Sequence, residues 1–212
     1  MDDAPEKERF PRRAARRQQT RARILEVALS EFQRVGYAEA TMNAIAEAAN
    51  IHITTLFTHF RTKKELAETL ASVELDQLAN MVDQAKGRVP FFEFFRDLVL
   101  TTAKTRQAKG DHKRGISREA HKEPELALNW MRYEDREIQL LAAYIAADYG
   151  LDVAADYVPF LAAKALISSG VLAWSRWSKA RASCDLVTET EAALDLAERM
   201  ARAILPLRPL KG

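Results

Sequence analysis

Residues Asn50 to Phe60 read NIHITTLFTHF and hold two of the chain's four histidines, His52 and His59, beside three threonines, Thr54, Thr55 and Thr58. Two imidazoles invite a metal ion. Seven residues of helix, however, rise about 10.5 Å, too far for one ion to be held by both. His112 and His121, with Glu119 and Glu123 nearby, read as surface side chains. No metal and no cofactor is expected. The chemistry left to this stretch is that of short donors and methyl groups. Such side chains meet phosphate oxygens, base edges and thymine methyls.

Whether they can do so depends on the element that carries them. Five of the eleven residues are β-branched, which favours a strand by propensity. The period points the other way. Ile53, Leu56, Phe57 and Phe60 fall at i, i+3, i+4 and i+7, one face of a helix, and the adjacent Leu56 and Phe57 break strand alternation. Thr54, Thr55, Thr58 and His59 then form the opposite, exposed face of a two-turn helix. A tight turn at Asn50, a residue that tolerates the left-handed conformation, precedes it.

The flanking sequence supplies partners for that helix. Pro11 opens a helix in which Ile24, Leu25, Ala28, Leu29, Phe32 and Val35 recur at three- and four-residue steps, and Gly36 stands where a C-terminal cap is wanted. Thr41 is a candidate N-cap for a short helix carrying Ile45, Ala48 and Ala49. TKKE, Thr62 to Glu65, has capping-box form and starts a long helix to about Lys86. Further helices are expected from Pro90 to Gly110, from Pro124 to about Asp148, over 152–181 with Pro159 splitting the start, and from a second capping box at Thr188–Glu191 to near Pro206. A short helix is a candidate within 111–123. The fold class is all-α, with about nine helices and no convincing strand.

Helix, tight turn, second short helix and a basic flank describe a helix-turn-helix. From Arg9 to Lys64 there are eleven Lys and Arg against four Glu, a charge of +7, which leaves −5 for the rest of a chain whose total is +2. That asymmetry suits an end that meets a polyanion. The segment from Thr20 to Leu66 resembles the N-terminal domain of TetR-family transcriptional regulators. Ile24, Leu25, Phe32, Gly36, Tyr37, Thr41, Ile45, Ala46, Thr55, Leu56, His59, Phe60 and Lys63 carry the likeness. Asn50, His52 and Phe57 depart from it, where a Gly, a Ser or Thr N-cap and a Tyr are usual. Phe57 lacks the phenolic hydroxyl and is expected to pack rather than to touch DNA.

The domains expected are a basic arm over 1–17, a DNA-binding domain over 18–64 and a helical ligand-binding and dimerisation domain over 65–212. The DNA-binding set is Thr41, His52, Thr54, Thr55, Thr58, His59, Lys63 and Lys64, together with Arg12, Arg13, Arg16 and Arg17 of the arm. Lys63 enters as the counterpart of the family's lysine after the recognition helix. Thr41 serves as a phosphate contact, a plain N-cap or both. No Arg, Asn or Gln occurs within 53–59, so bidentate base contacts are absent from that helix. Direct readout is expected to be modest, with help from the arm and from DNA shape.

In the larger part, small residues on one helix (Ala165, Ser169, Ala173) and Leu194, Ala197 and Met200 on the last helix suit a four-helix dimer interface, which the resemblance also implies. Phe94, Leu98, Thr101, Trp130, Tyr133 and Trp174 are candidates for an apolar ligand cavity, with ordinary core as the competing account for each.

Seven Gly, seven Pro and one cysteine fit a helical chain in a reducing compartment. The N-terminus lacks the apolar stretch of a secretory signal, and Ala165–Ser175 is far shorter than the roughly 20 residues of a membrane helix. The expected location is the cytoplasm. No Glu-x-x-His pair, P-loop, dinucleotide fingerprint or nucleophile elbow points to an enzyme. The reading that follows is a ligand-responsive regulator: a homodimeric repressor released from a palindromic DNA operator by a small apolar or amphipathic effector. The alternative is a helical small-molecule-binding or scaffold protein without specific DNA binding.

Overall fold

The computed structural model describes residues 11–108, 124–179 and 184–206, and their side chains except those of 11–12, 124–130 and 178–179. Eight helices run through these residues: α1 (Pro11–Val35), α2 (Met42–Ala48), α3 (Ile53–His59), α4 (Lys63–Ala85), α5 (Phe91–Ala108), α6 (Pro124–Tyr149), α7 (Val158–Lys179) and α8 (Leu186–Ile204). Among the described residues there is no strand. The ninth expected helix falls in 111–123, outside them. The chain divides into two compact units, with a boundary between Ser72 and Val73.

The first unit is built on α1, α2, α3 and the start of α4. Ile24, Ala28, Phe32, Ile45, Leu56, Phe60 and Leu66 are fully or almost fully buried in one core. The α1 period therefore does what its three- and four-residue steps predict. Asn50 has φ 51°, and its backbone turn joins α2 to α3. Residues 11–17 form the first two turns of α1, the helix expected to open at Pro11.

Capping follows the sequence at one long helix and departs from it at another. At α4 the Glu65 amide donates to Thr62 Oγ1 at 3.0 Å, and Glu65 Oε2 accepts from the Arg61 amide at 2.7 Å. At α8 the cap is not Thr188. Asp185 Oδ2 accepts both the Thr188 amide (2.8 Å) and its hydroxyl (2.7 Å), so the cap lies three residues earlier than expected. An ionised carboxylate accepts more strongly than a hydroxyl, which explains the choice.

The second unit has a core of Leu78, Val82, Phe91, Phe95, Leu141, Tyr144, Ile145, Ala162, Leu166 and Leu194. Asp148 Oδ2 accepts the Phe91 amide at 2.6 Å and so caps α5 from α6. Arg96 reaches from α5 to both Asp195 and Glu198 of α8. Val158–Trp177 is long and apolar enough to cross a membrane by length and composition, contrary to the estimate from its uncharged stretch alone. Ala162, Ala163, Leu166 and Ala173 are nevertheless buried in the protein core, and Lys164 and Arg176 interrupt it.

A polar cluster lies along α6. Lys164 donates to Glu134, while Glu137 has no ion-pair partner among the described residues. Burial, then the negative charges of Glu134 and Glu74, push the Glu137 carboxyl up to about 7, against a smaller opposing pull from Lys164. The native chain therefore binds this proton more tightly than the unfolded chain. The stability it contributes is full below about 4.5 and is lost as pH rises through about 7. Glu137→Gln is expected to raise the melting temperature at pH 8 by roughly 2–8 °C. Near pH 4.5 it should change little, as thermal unfolding followed by circular dichroism at both pH values will show.

Candidate nucleic-acid interface

The short helix α3 is held at both ends by side chains. His52 is its N-cap: Nδ1 accepts the Thr54 amide at 3.4 Å. That nitrogen is therefore unprotonated, so the Thr54 hydroxyl 2.8 Å away donates to it. At the other end Arg21 Nη1 donates to the His59 carbonyl at 2.9 Å, and its guanidinium lies 4.1 Å from the centre of the Phe60 ring. Arg21 was not among the expected site residues. Its signal was available, because Arg13, Arg17 and Arg21 recur at four-residue steps along α1.

Lys63 is used by the fold. Its Nζ donates to the carbonyls of Tyr37 (2.6 Å), Ala38 (2.9 Å) and Ala40 (3.0 Å), and it lies 4.4 Å from the centre of the Tyr37 ring. An ammonium has three donors, and all three are engaged on the turn between α1 and α2. The expected phosphate contact at Lys63 is corrected accordingly. Lys64 lies 3.8 Å from Glu68 in an exposed pair. Thr41 Oγ1 accepts the Ala44 amide at 3.1 Å, so it acts as the N-cap of α2.

Further cations lie on α1. Arg13, Arg16, Arg17 and Arg21 line a cleft of about 730 Å³, with Thr55, Thr58 and His59 on its opposite wall. Arg13, Arg16 and Arg17 are exposed, and the Arg12 side chain falls outside the described residues. Burial, then repulsion by the Arg17 and Arg21 guanidiniums, holds His59 below its ordinary value, so it is neutral at pH 7. A neutral imidazole and a threonine hydroxyl facing several guanidiniums make a seat for a phosphate, with charge on one wall and directional donors on the other. His52 and His59 stand at opposite ends of α3, which agrees with the distance argument against a shared metal.

Phe57 is a correction. It was expected on the packed face, yet it is 46% exposed. With 3.6 residues per turn, Phe57 lies about 80° from the line midway between Leu56 and Phe60, and only those two are fully buried. The exposed side of α3 is therefore Thr54, Phe57 and Thr58, while Thr55 and His59 turn toward the arginines.

Residues expected at a dimer interface are mostly internal. Ser169, Ala173, Leu194 and Ala197 are buried within this chain, Ala165 is half-buried and Met200 is exposed. Small residues let α7 approach its neighbours in the same chain, and those four residues pack within it. The expected ligand residues do not form one wall. Phe94 and Leu98 pack against the main core of the second unit, whereas Trp174 belongs to a separate cluster with Ala103, Trp177 and Leu186. Thr101 is exposed, Tyr133 is half-buried, and the Trp130 side chain falls outside the described residues.

A basic first helix beside a short second helix of a helix-turn-helix defines a DNA-binding domain. Residues 24–70 match the family model for bacterial regulatory proteins, tetR family. Those residues are therefore similar to the N-terminal DNA-binding domain of that family. The chain is 27% identical to the HTH-type transcriptional regulator TcmR of Streptomyces glaucescens over 146 residues, 66% of this chain and 65% of TcmR. The match thus spans just under two thirds of that relative. The fold is similar to that of the regulator FadR from Bacillus subtilis in complex with stearoyl-CoA (TM-score 0.65, 14% identity, 83% of this chain and 96% of that one). It is similar also to a TetR-family regulator from Syntrophomonas wolfei (TM-score 0.68, 16% identity, 90% and 99%).

Two substitutions separate structural cations from those facing the cleft. Lys63→Met is expected to cost the first unit about 2 kcal/mol, measured by amide exchange in α1–α3. It should leave the slope of log affinity for DNA against log salt unchanged. Arg17→Ala should do the reverse, lowering that slope by about one with little change in stability.

Proposed function

We propose that the chain is a ligand-responsive repressor that binds a palindromic operator as a homodimer in the cytoplasm. The observation that carries this reading is the pairing of the exposed Thr54–Phe57–Thr58 side of α3 with the arginine-lined cleft beside it. One surface can enter a major groove while the other holds the adjoining backbone. Thr55, Thr58, His59, Arg13, Arg16 and Arg17 are its phosphate and base contacts.

Apolar side chains left exposed on the second unit support the dimer. Leu196, Met200 and Ile204 recur at four-residue steps along α8, and Leu161 and Leu172 stand out on α7. All five are 46–61% exposed, and an obligate partner surface is built from such residues. A two-fold dimer presents two recognition helices to a two-fold symmetric site.

For the effector, the second unit offers one buried polar group without a partner among the described residues. Trp174 Nε1 is buried and has no hydrogen-bond partner among the described residues, and the Arg106 guanidinium lies 5.1 Å from the centre of the Trp174 ring. A buried indole N–H costs free energy unless an acceptor meets it. An amphipathic molecule with an acceptor at its polar end supplies one. The FadR from Bacillus subtilis was solved with stearoyl-CoA, and an acyl-type effector is the class carried over here.

Selecting bound duplexes from a random pool tests the reading. An enriched inverted repeat is expected, released by stearoyl-CoA at micromolar concentration. Salt-dependent binding with no enrichment would favour the scaffold alternative. Met200→Glu is expected to shift the chain from dimer to monomer in sedimentation and to weaken binding to the full palindrome at least tenfold. Unchanged sedimentation would remove α8 from the interface.

A further inference from the structure

We infer that α3 reads DNA through methyl groups, with Phe57 as the specificity-determining residue for thymine. The inference rests on the DNA-binding function proposed above and names what its recognition helix recognises. Thr54, Phe57 and Thr58 are the exposed side chains of α3. They fall at i, i+3 and i+4 and so form one ridge.

The hydroxyl protons on that ridge are already used. The Thr54 hydroxyl donates to His52 Nδ1 at 2.8 Å, and the Thr58 hydroxyl donates to the Thr54 carbonyl at 2.9 Å. Each threonine has only one such proton. Neither hydroxyl then has a proton to donate to a base edge, and each threonine adds a methyl group to the ridge that holds the exposed Phe57 ring. The segment Ile53–His59 has no Arg, Asn, Gln or Lys to provide a bidentate contact.

An exposed aromatic ring flanked by methyls needs an apolar partner. In the major groove, the apolar group on a base edge is the thymine C5 methyl. The charge around the ridge selects DNA over a protein partner. Arg61 and Lys64 follow α3, and Arg13, Arg16 and Arg17 line the cleft beside it. The ridge thus lies within a cationic surface, where a nucleic-acid backbone is drawn in and an apolar protein face is not.

The test changes the DNA before it changes the protein. Once a bound duplex has been selected, each thymine is replaced in turn by deoxyuridine, which loses the C5 methyl and keeps the pairing and O4. Affinity is expected to fall about fourfold at one or two thymines of each half-site. Phe57→Ala should bind the thymine and deoxyuridine duplexes equally. Thr58→Val, which replaces the hydroxyl by a methyl, should keep the thymine preference.

Selected duplexes bound with no deoxyuridine effect at any position overturn the inference and leave the regulator reading intact. Loss of site selection in Thr58→Val overturns it as well, since the hydroxyl would then be read. Self-association in the absence of DNA that Phe57→Ala abolishes would assign the ridge to a second copy of the chain. Failure of the native chain to enrich any duplex overturns both readings.

Discussion

The seven residues of α3 cannot hold a helix alone, and the first unit is arranged to make them do so. Thr54, Thr55, Thr58 and Ile53 each cost several tenths of a kcal/mol relative to good helix formers, and two turns gain little from cooperativity. Burial of Leu56 and Phe60 offsets this with roughly 1.5–3 kcal/mol each. The balance is favourable only because α1, α2 and the start of α4 supply a core for them. His52 and Arg21 then satisfy the terminal backbone groups that so short a helix would otherwise leave open.

This arrangement divides the polar groups into two sets. Lys63, Arg21, His52 and the hydroxyls of Thr41 and Thr58 serve the backbone, and the Thr54 hydroxyl serves His52. Thr55, His59, Arg13, Arg16 and Arg17 face the cleft. A cation with three short bonds to carbonyls has little to offer a phosphate, whereas the guanidiniums of α1 stand exposed along one side of the cleft. The α1 extension therefore contributes more to the electropositive surface than the lysine at the start of α4.

Much of this was legible from residue spacing. The three- and four-residue steps of Ile24, Ala28 and Phe32, the left-handed Asn50 and the Thr62–Glu65 box all reflect local chain geometry. Periods of that kind survive in any tertiary setting. Phe57 and the pair Leu194 and Ala197 did not read correctly, because a helical stripe has width and its edges are assigned by neighbours. On α8 the buried line is 194, 197 and 201, and the exposed line is 196, 200 and 204. Both lines satisfy the same period, and the sequence contains no mark that distinguishes the inner from the outer one.

Lys63 shows the same division for charge. Its place after the recognition helix was visible in the sequence. Its three carbonyl partners lie 23 to 26 residues earlier, on a turn that only the packed unit brings within reach. By itself the sequence determined the helices, the turn at Asn50, the basic end and the absence of bidentate readers in α3, since each depends on residue type and near-neighbour spacing. Only the tertiary structure decided which cations remain for DNA, that Phe57 faces outward and which side of α8 is core. Those outcomes depend on contacts between segments distant in the chain.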